Sequence, residues 1–325
     1  MREVAFIKSN VDKWRLIDYQ TKSNNIPSDT LAGNFIELTD DLSYARTFYP
    51  GSRTVMYLNR IAGRYFINIS RYRKYNRGWF TRFWIKELPL IMYKYRKCML
   101  YSAIFFIGSI LLGVFSQSQD PEFVKLILGP RYVDMTIDNI EKGDPMAVYK
   151  DSDKGGMLLV ISQNNIRVSL YCFVFGIFFS VGSIYFLFVN GMIIGVFQYF
   201  FFEKGLLLTS ASTIWLHGIL EISSFVISGG AGIALGNSLL FPGSFKRIVS
   251  LQKTTPEVLK IVLGLVPVFM IAAFIESYIT RLTDMPLFMR LIIIGGSAVF
   301  IGWYFFYYPS FVKRKVEKTN KKNNI

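Results

Sequence analysis

Histidine is nearly absent from this chain of 325 residues, with His217 its single instance, and cysteine is almost as scarce, with only Cys98 and Cys172. One imidazole cannot furnish a multi-histidine metal site. Two thiols in apolar sequence, without ligand-type neighbours, make neither a disulfide framework nor a zinc ribbon. The sequence around the histidine is His217-Gly-Ile-Leu-Glu221, not the His-Glu-x-x-His zinc pattern, so one imidazole and one carboxylate leave no expectation of a metal or other cofactor. No glycine-rich loop leads into Lys-Ser or Lys-Thr, and no nucleophile, base and oxyanion-donor set can be assembled from spacing, so the chain is not expected to be an enzyme. A secretory signal is also missing. Met1-Arg2-Glu3-Val4 runs into polar sequence, and the first apolar span is expected to act as an uncleaved insertion signal.

What the chain has in abundance is apolar surface. Hydrophobic residues make up 52% of it, aromatics 17%, and the mean hydropathy is +0.33, values that point to an integral membrane protein. The net charge of +15 is unevenly placed. Residues 1–97 hold 18 basic and 8 acidic side chains, 312–325 hold 6 and 1, and 117–163 hold 5 and 8. Because the basic clusters adjoin apolar spans, the positive-inside rule explains them, and no nucleic-acid partner is inferred. The basic flanks at 71–97, 246–260 and 312–325 belong inside and 117–163 outside. Six crossings satisfy all four assignments and place both termini in the cytoplasm.

The expected fold is all-α: a polytopic membrane protein with about six transmembrane helices and a helical cytoplasmic N-terminal region. Residues 1–97 read as a basic helical bundle, broken at Asn24-Asn25-Ile26-Pro27-Ser28-Asp29, with Ser28 or Asp29 capping a helix that begins at Leu31. Its end, 71–97, interleaves nine cations with Trp79, Phe80, Phe83 and Trp84, a composition suited to anionic lipid headgroups. A transmembrane domain over 98–311 and a basic tail over 312–325 follow.

The spans are read as 98–116, 166–189, 192–202 extended back through Asn190 and Gly191, the stretch ending near Leu240, 261–279 and 291–308. Asn190-Gly191 is taken as a break, and the short third element is read as a crossing in preference to a re-entrant loop. Gly205–Ser212 is read as a separate short helix because Thr209–Thr213 offers several caps. The external segment 117–163 is expected to form two short helices, with Asp151–Gly156 as a loop.

Within the fourth span, His217, Glu221, Ser224, Ser228 and Gly232 recur at offsets of 4, 7, 11 and 15, so they share one helical stripe that must face protein or water. His217 falls about 15 Å along the helix, near the bilayer centre. A pair of this kind acts either as a polar clamp between helices or as a proton- or ion-coupled site. The polar core is read as His217, Glu221, Arg167, Asn164, Asn165, Asn190 and Glu276, with Arg167 able to pair with Glu276 or Glu221. Close helix packing is assigned to Gly191, Gly195, Gly218, Ser228, Gly229, Gly232 and Gly236.

In this order the residues resemble a known family. Asn164-Asn165 with Arg167, Asn190-Gly191 followed by Gly195, His217-Gly218 with Glu221, and Gly229-Gly-Ala-Gly232 are similar to the stage II sporulation protein M family. So are Pro242-Gly243, Ala272-Ala273 and Ile275-Glu276. The similarity covers roughly 98–310. It implies a multi-pass protein of the bacterial cytoplasmic membrane that, in spore formers, is a scaffold for engulfment recruiting partners that remodel peptidoglycan. The long basic N-terminal region and an additional span are departures from the sporulation protein. A non-enzymatic scaffold for membrane or envelope proteins, able to self-associate, is therefore the expected function, with an ion- or proton-coupled transporter using His217 and Glu221 as the alternative.

Overall fold

A computed structural model describes residues 2–20, 28–74, 78–145, 147, 154–282 and 285–323. The turn expected at Asn24–Pro27 and the loop residues Asp151–Asp153 lie outside these. Among the described residues every regular element is helical, and two compact units divide after Phe80.

The first unit is built on α1 (Glu3–Gln20), α2 (Ser28–Phe48) and α3 (Arg53–Lys74). Helix α2 begins at Ser28, three residues before the expected start. Trp14, Ile17, Leu38, Leu58, Ile61 and Tyr65 are buried together, the outcome expected when amphipathic stripes meet. Polar atoms at the edge of this core are satisfied: the Trp14 indole N–H donates to Asp41 at 2.8 Å and the Thr54 hydroxyl to Glu3 at 2.8 Å.

The second unit begins within α4 (Trp79–Arg82) and continues through a π-helical turn, Phe83–Glu87, into α5 (Leu88–Lys94). Part of this aromatic and cationic segment is fastened to later helices. Leu88 and Met92 are buried in the main core, Lys260 donates to Glu87 at 2.9 Å, and the Tyr304 hydroxyl donates to the Trp84 carbonyl at 2.8 Å. Helix α6 (Arg96–Gln119) follows, then the short α7 (Phe123–Leu128) and α8 (Pro130–Glu141). These two cover one end of α10 (Val181–Glu203), with Val124 and Val133 packed on Val196, Phe200 and Phe201.

Among the described residues six helices are long and apolar enough to cross a membrane: 96–119, 156–177, 181–203, 207–240, 247–279 and 287–320. The number agrees with expectation; the boundaries of the second and third do not. Helix α9 (Lys154–Val174) runs through a 3-10 turn, Phe175–Ile177, and the chain reverses at Phe178–Ser180 before α10 starts. Phe179 and Ser180 hold φ of 51° and 69°, the left-handed conformation that ends helices but is costly for a side chain as large as phenylalanine. Asn190 and Gly191 lie inside α10 rather than at a break. The Asn190 amide donates to the Phe186 carbonyl one turn back at 2.8 Å, and the missing Gly191 side chain lets α6 come close. Span three is thus a 23-residue helix, not a short or re-entrant segment. Lys154–Gly156 belongs to α9 rather than to a loop.

Helix α11 (Leu207–Leu240) is continuous for 34 residues, about 51 Å at 1.5 Å per residue and well beyond the roughly 30 Å of hydrocarbon. The separate Gly205–Ser212 helix does not form. The Ser210 and Ser212 hydroxyls bond carbonyls three residues back, at 3.4 and 3.3 Å, instead of capping a new start. Helix α12 (Arg247–Phe274) ends in a second π-helical turn, Ile275–Ile279, and α13 (Leu287–Ile301) joins α14 (Tyr308–Asn323) through a third, Gly302–Tyr307.

Helix α11 sits at the centre because its glycines admit neighbouring backbones. A Cβ on Gly232 would lie 2.1 Å from Ser183 Oγ and 2.7 Å from the Cys172 carbonyl oxygen, and one on Gly236 would lie 2.1 Å from the Ser180 nitrogen. Hydroxyls stitch the same contacts, with Ser228 Oγ donating to the Ser169 carbonyl at 2.8 Å and Ser180 Oγ to that of Ile233 at 3.0 Å. In lipid, where apolar burial between helices gains little, such close approach is the principal source of association. Gly232→Leu should therefore destabilise the protein by about 3 kcal/mol or more, read as loss of a monodisperse species in detergent and a lowered melting temperature. Gly302, which has no heavy atom within 4 Å of its would-be Cβ, should accept alanine with a change within about 0.5 kcal/mol. Equal tolerance at both positions would show that this packing does not hold the bundle.

Candidate functional site

The polar stripe of α11 is divided between two neighbours. Its lower part follows α9 in parallel register, with Glu221 beside Asn165, Ser228 beside Ser169 and Gly232 against Cys172 and Phe173. His217, one turn above Glu221, meets the end of α12 instead. Its Nδ1 lies 3.2 Å from Thr280 Oγ1, and its Nε2 lies 3.8 Å from Glu276 Oε2. The imidazole keeps 5% of its exposure and the Glu276 side chain 14%.

The π-helical turn makes this meeting happen. The Thr280 N–H bonds the carbonyl of Ile275, five residues back, at 2.9 Å. The wider turn shifts the following side chains around the helix axis, a device found where ordinary α geometry would aim a group away from its partner. Glu276 and Thr280 thereby both reach His217. The ligand-type atoms of His217, Glu221 and Glu276 all lie within 4.8 Å of one another. The spacing of His217 and Glu221 alone gave two such groups; tertiary structure supplies the third.

Glu221 also faces a cavity of about 180 Å³, whose wall includes Asn164, Asn165, Asn190, Phe106 and Phe225. The Asn165 amide donates to Glu221 Oε1, which partly offsets the cost of holding a carboxyl group away from water. Asn164, Asn165 and Asn190 thus share a cavity with Glu221, and Glu221 in turn lies beside His217 and Glu276. Arg167 is exposed on α9, and among the described residues no ion pair joins it to Glu221 or Glu276. Gly191 and Gly195 serve a different contact, against Ser109 and Ile110 of α6, and Gly229 packs on Leu187 and Ser102. Gly218 has nothing nearer than 3.6 Å to its would-be Cβ, and those neighbours belong to its own helix.

Two residues escaped the sequence reading. Thr280 carried a signal, since it lies four residues after Glu276 as Glu221 does after His217. Arg290 stands just before the expected sixth span, and an arginine next to a membrane-spanning run is itself a marker. Its Nη1 donates to Thr213 Oγ1 at 3.1 Å and to Ser212 Oγ at 3.3 Å, fastening α13 to the start of α11.

Six apolar helices around a buried polar centre define the class: a multi-pass α-helical membrane protein with an intramembrane cluster of ionisable side chains. The family follows from comparison. Residues 102–281, which are 180 of the 325 and so more than half, match Stage II sporulation protein M, and the chain belongs to that family. Residues 4–71 match a domain of unknown function (DUF8413). No curated protein and no solved structure matches.

If the Asn165 amide stabilises Glu221, Asn165→Ala should cost about 2 kcal/mol, read by thermal unfolding in detergent. The loss should shrink in a Glu221→Gln background, with a coupling of about 1 kcal/mol. Strictly additive effects would show that the two side chains do not support one another.

Proposed function

We propose that this protein is a non-enzymatic scaffold of the bacterial cytoplasmic membrane, with both termini in the cytoplasm, which assembles membrane or envelope proteins around its last span. The observation that carries this is the surface of residues 287–320, only 11% of whose apolar window is buried within the chain. On it Gly295, Ala298 and Gly302 follow one another at intervals of three and four and are exposed. Neither glycine has a heavy atom within 4 Å of its would-be Cβ. Such a small-residue face lets a second transmembrane helix approach closely. Belonging to the stage II sporulation protein M family supports the same reading, since the family is not one of known enzymes. The basic segment near the first span supplies charge for anionic headgroups.

A second reading, ion- or proton-coupled transport, is favoured by the cavity beside Glu221 and the carboxylates and histidine around it. Two measurements separate the readings. Ala298→Leu should leave the purified protein folded but reduce, by about tenfold, the recovery of co-purifying membrane proteins or of a second tagged copy. Proton or solute flux in proteoliposomes should be absent from parent and Glu221→Gln alike. Flux in the parent that Glu221→Gln abolishes, with folding retained, would replace the scaffold by the transporter.

A further inference from the structure

We propose that His217, Glu221 and Glu276 form a binding site for one divalent transition-metal ion, of the zinc or manganese type. The inference concerns the polar centre alone and stands whether or not the chain is a scaffold.

Hydrogen-bond polarity gives the first argument. The Thr280 hydroxyl donates to the Ile275 carbonyl at 3.3 Å, so toward His217 it acts as acceptor, and the proton in the 3.2 Å contact belongs to Nδ1. The tautomer is thereby set, and Nε2 presents its lone pair. That nitrogen lies 3.8 Å from a carboxylate oxygen of Glu276, two electron-rich atoms brought close together. The separation exceeds the roughly 2.7–3.2 Å of a hydrogen bond, so the two atoms do not share a proton directly. Two ligands each about 2.1 Å from one ion, by contrast, stand up to about 4.2 Å apart. An imidazole whose second nitrogen is held by a protein acceptor is also the usual environment of a metal-bound histidine.

Charge gives the second. Among the described residues no ion pair joins Glu221 or Glu276 to a lysine or arginine, although both lie within a membrane-spanning bundle. Two buried carboxylates so close together repel unless a proton or cation neutralises them, and a divalent ion between them balances both. The third is access. The cavity of about 180 Å³ against Glu221 is lined by three asparagines, which offer oxygen ligands or hydrogen-bond partners for bound water and a polar way in. One nitrogen and several oxygens favour zinc, manganese or iron over calcium, which prefers oxygen alone.

The test uses the full chain without a histidine tag, in detergent or nanodiscs, stripped with chelator and then equilibrated with zinc, manganese, magnesium or calcium chloride. Elemental analysis should find about one zinc or manganese per chain and none of magnesium or calcium above blank, and the bound ion should raise the melting temperature. Glu276→Gln and Glu221→Gln should each lower the stoichiometry at least about fivefold. Cobalt loading should give a visible absorption band that His217→Ala removes. A parent that retains no transition metal and melts unchanged overturns the proposal. So do folded variants that keep the parental stoichiometry, which would mark an adventitious ion bound elsewhere. Should the variants fail to fold, the parent's stoichiometry, melting shift and cobalt band decide.

Discussion

A helix carrying His217, Glu221, Ser224, Ser228 and Gly232 on one side can lie in a bilayer only if that side is covered by protein, because lipid offers no hydrogen-bond partner and repays no polar burial. The arrangement of the second unit follows from this requirement. Helix α9 runs parallel to α11 and supplies Asn165 and the Ser169 carbonyl. The reversal at Phe178–Ser180 brings α10 back within reach of Gly232 and Gly236, and the π turn closing α12 delivers Glu276 and Thr280. Backbone strain at Phe179 is tolerated because the turn it creates allows α9 and α10 to pack on the same glycines. The aromatic segment after residue 80 is then held by what the bundle exposes, through Glu87, Trp84 and their partners on α12 and the last span.

Packing and polarity divide the central helix between two tasks. Its residues 227–236 are all buried, with Gly232 and Gly236 leaving no room for a side chain. Its middle is wider, bordered by a polar cavity, and holds the ionisable groups. A rigid lower half keeps the upper half in register, which a site built from side chains of different helices requires. The last span stands apart from both tasks: few of its residues are buried within the chain, so it is the element with most surface left for lipid or another protein. These contrasts motivate a scaffold in which the polar centre is part of the architecture, and they also explain why a transport reading competes with it.

The all-helical fold, the six apolar helices and the family were legible before the structure. The spans declare themselves because twenty apolar residues have few alternatives to a membrane helix, and family resemblance rests on ordered polar and small residues that apolar sequence rarely contains. The break between the second and third spans was not legible. Phe178-Phe179-Ser180 continues an apolar run without a proline or an asparagine, whereas Asn190-Gly191 has the composition of a turn and yet continues α10. Hydropathy cannot see a reversal whose residues are all acceptable to lipid. In the same way Thr209–Thr213 resembles a helix start, but the Ser210 and Ser212 hydroxyls bond carbonyls of the helix they belong to.

The sequence by itself determined that His217 and Glu221 share a face and that this face had to be covered, because both follow from helical periodicity and the cost of polarity in lipid. Only the tertiary structure decided what covers it. Asn165 lies 56 residues along the chain from Glu221, and Glu276 and Thr280 lie 59 and 63 residues from His217, and no local spacing relates them. Their approach depends on the point at which α9 reverses and on one widened turn after α12, features set by the sum of many contacts across four helices rather than by any residue's own preference.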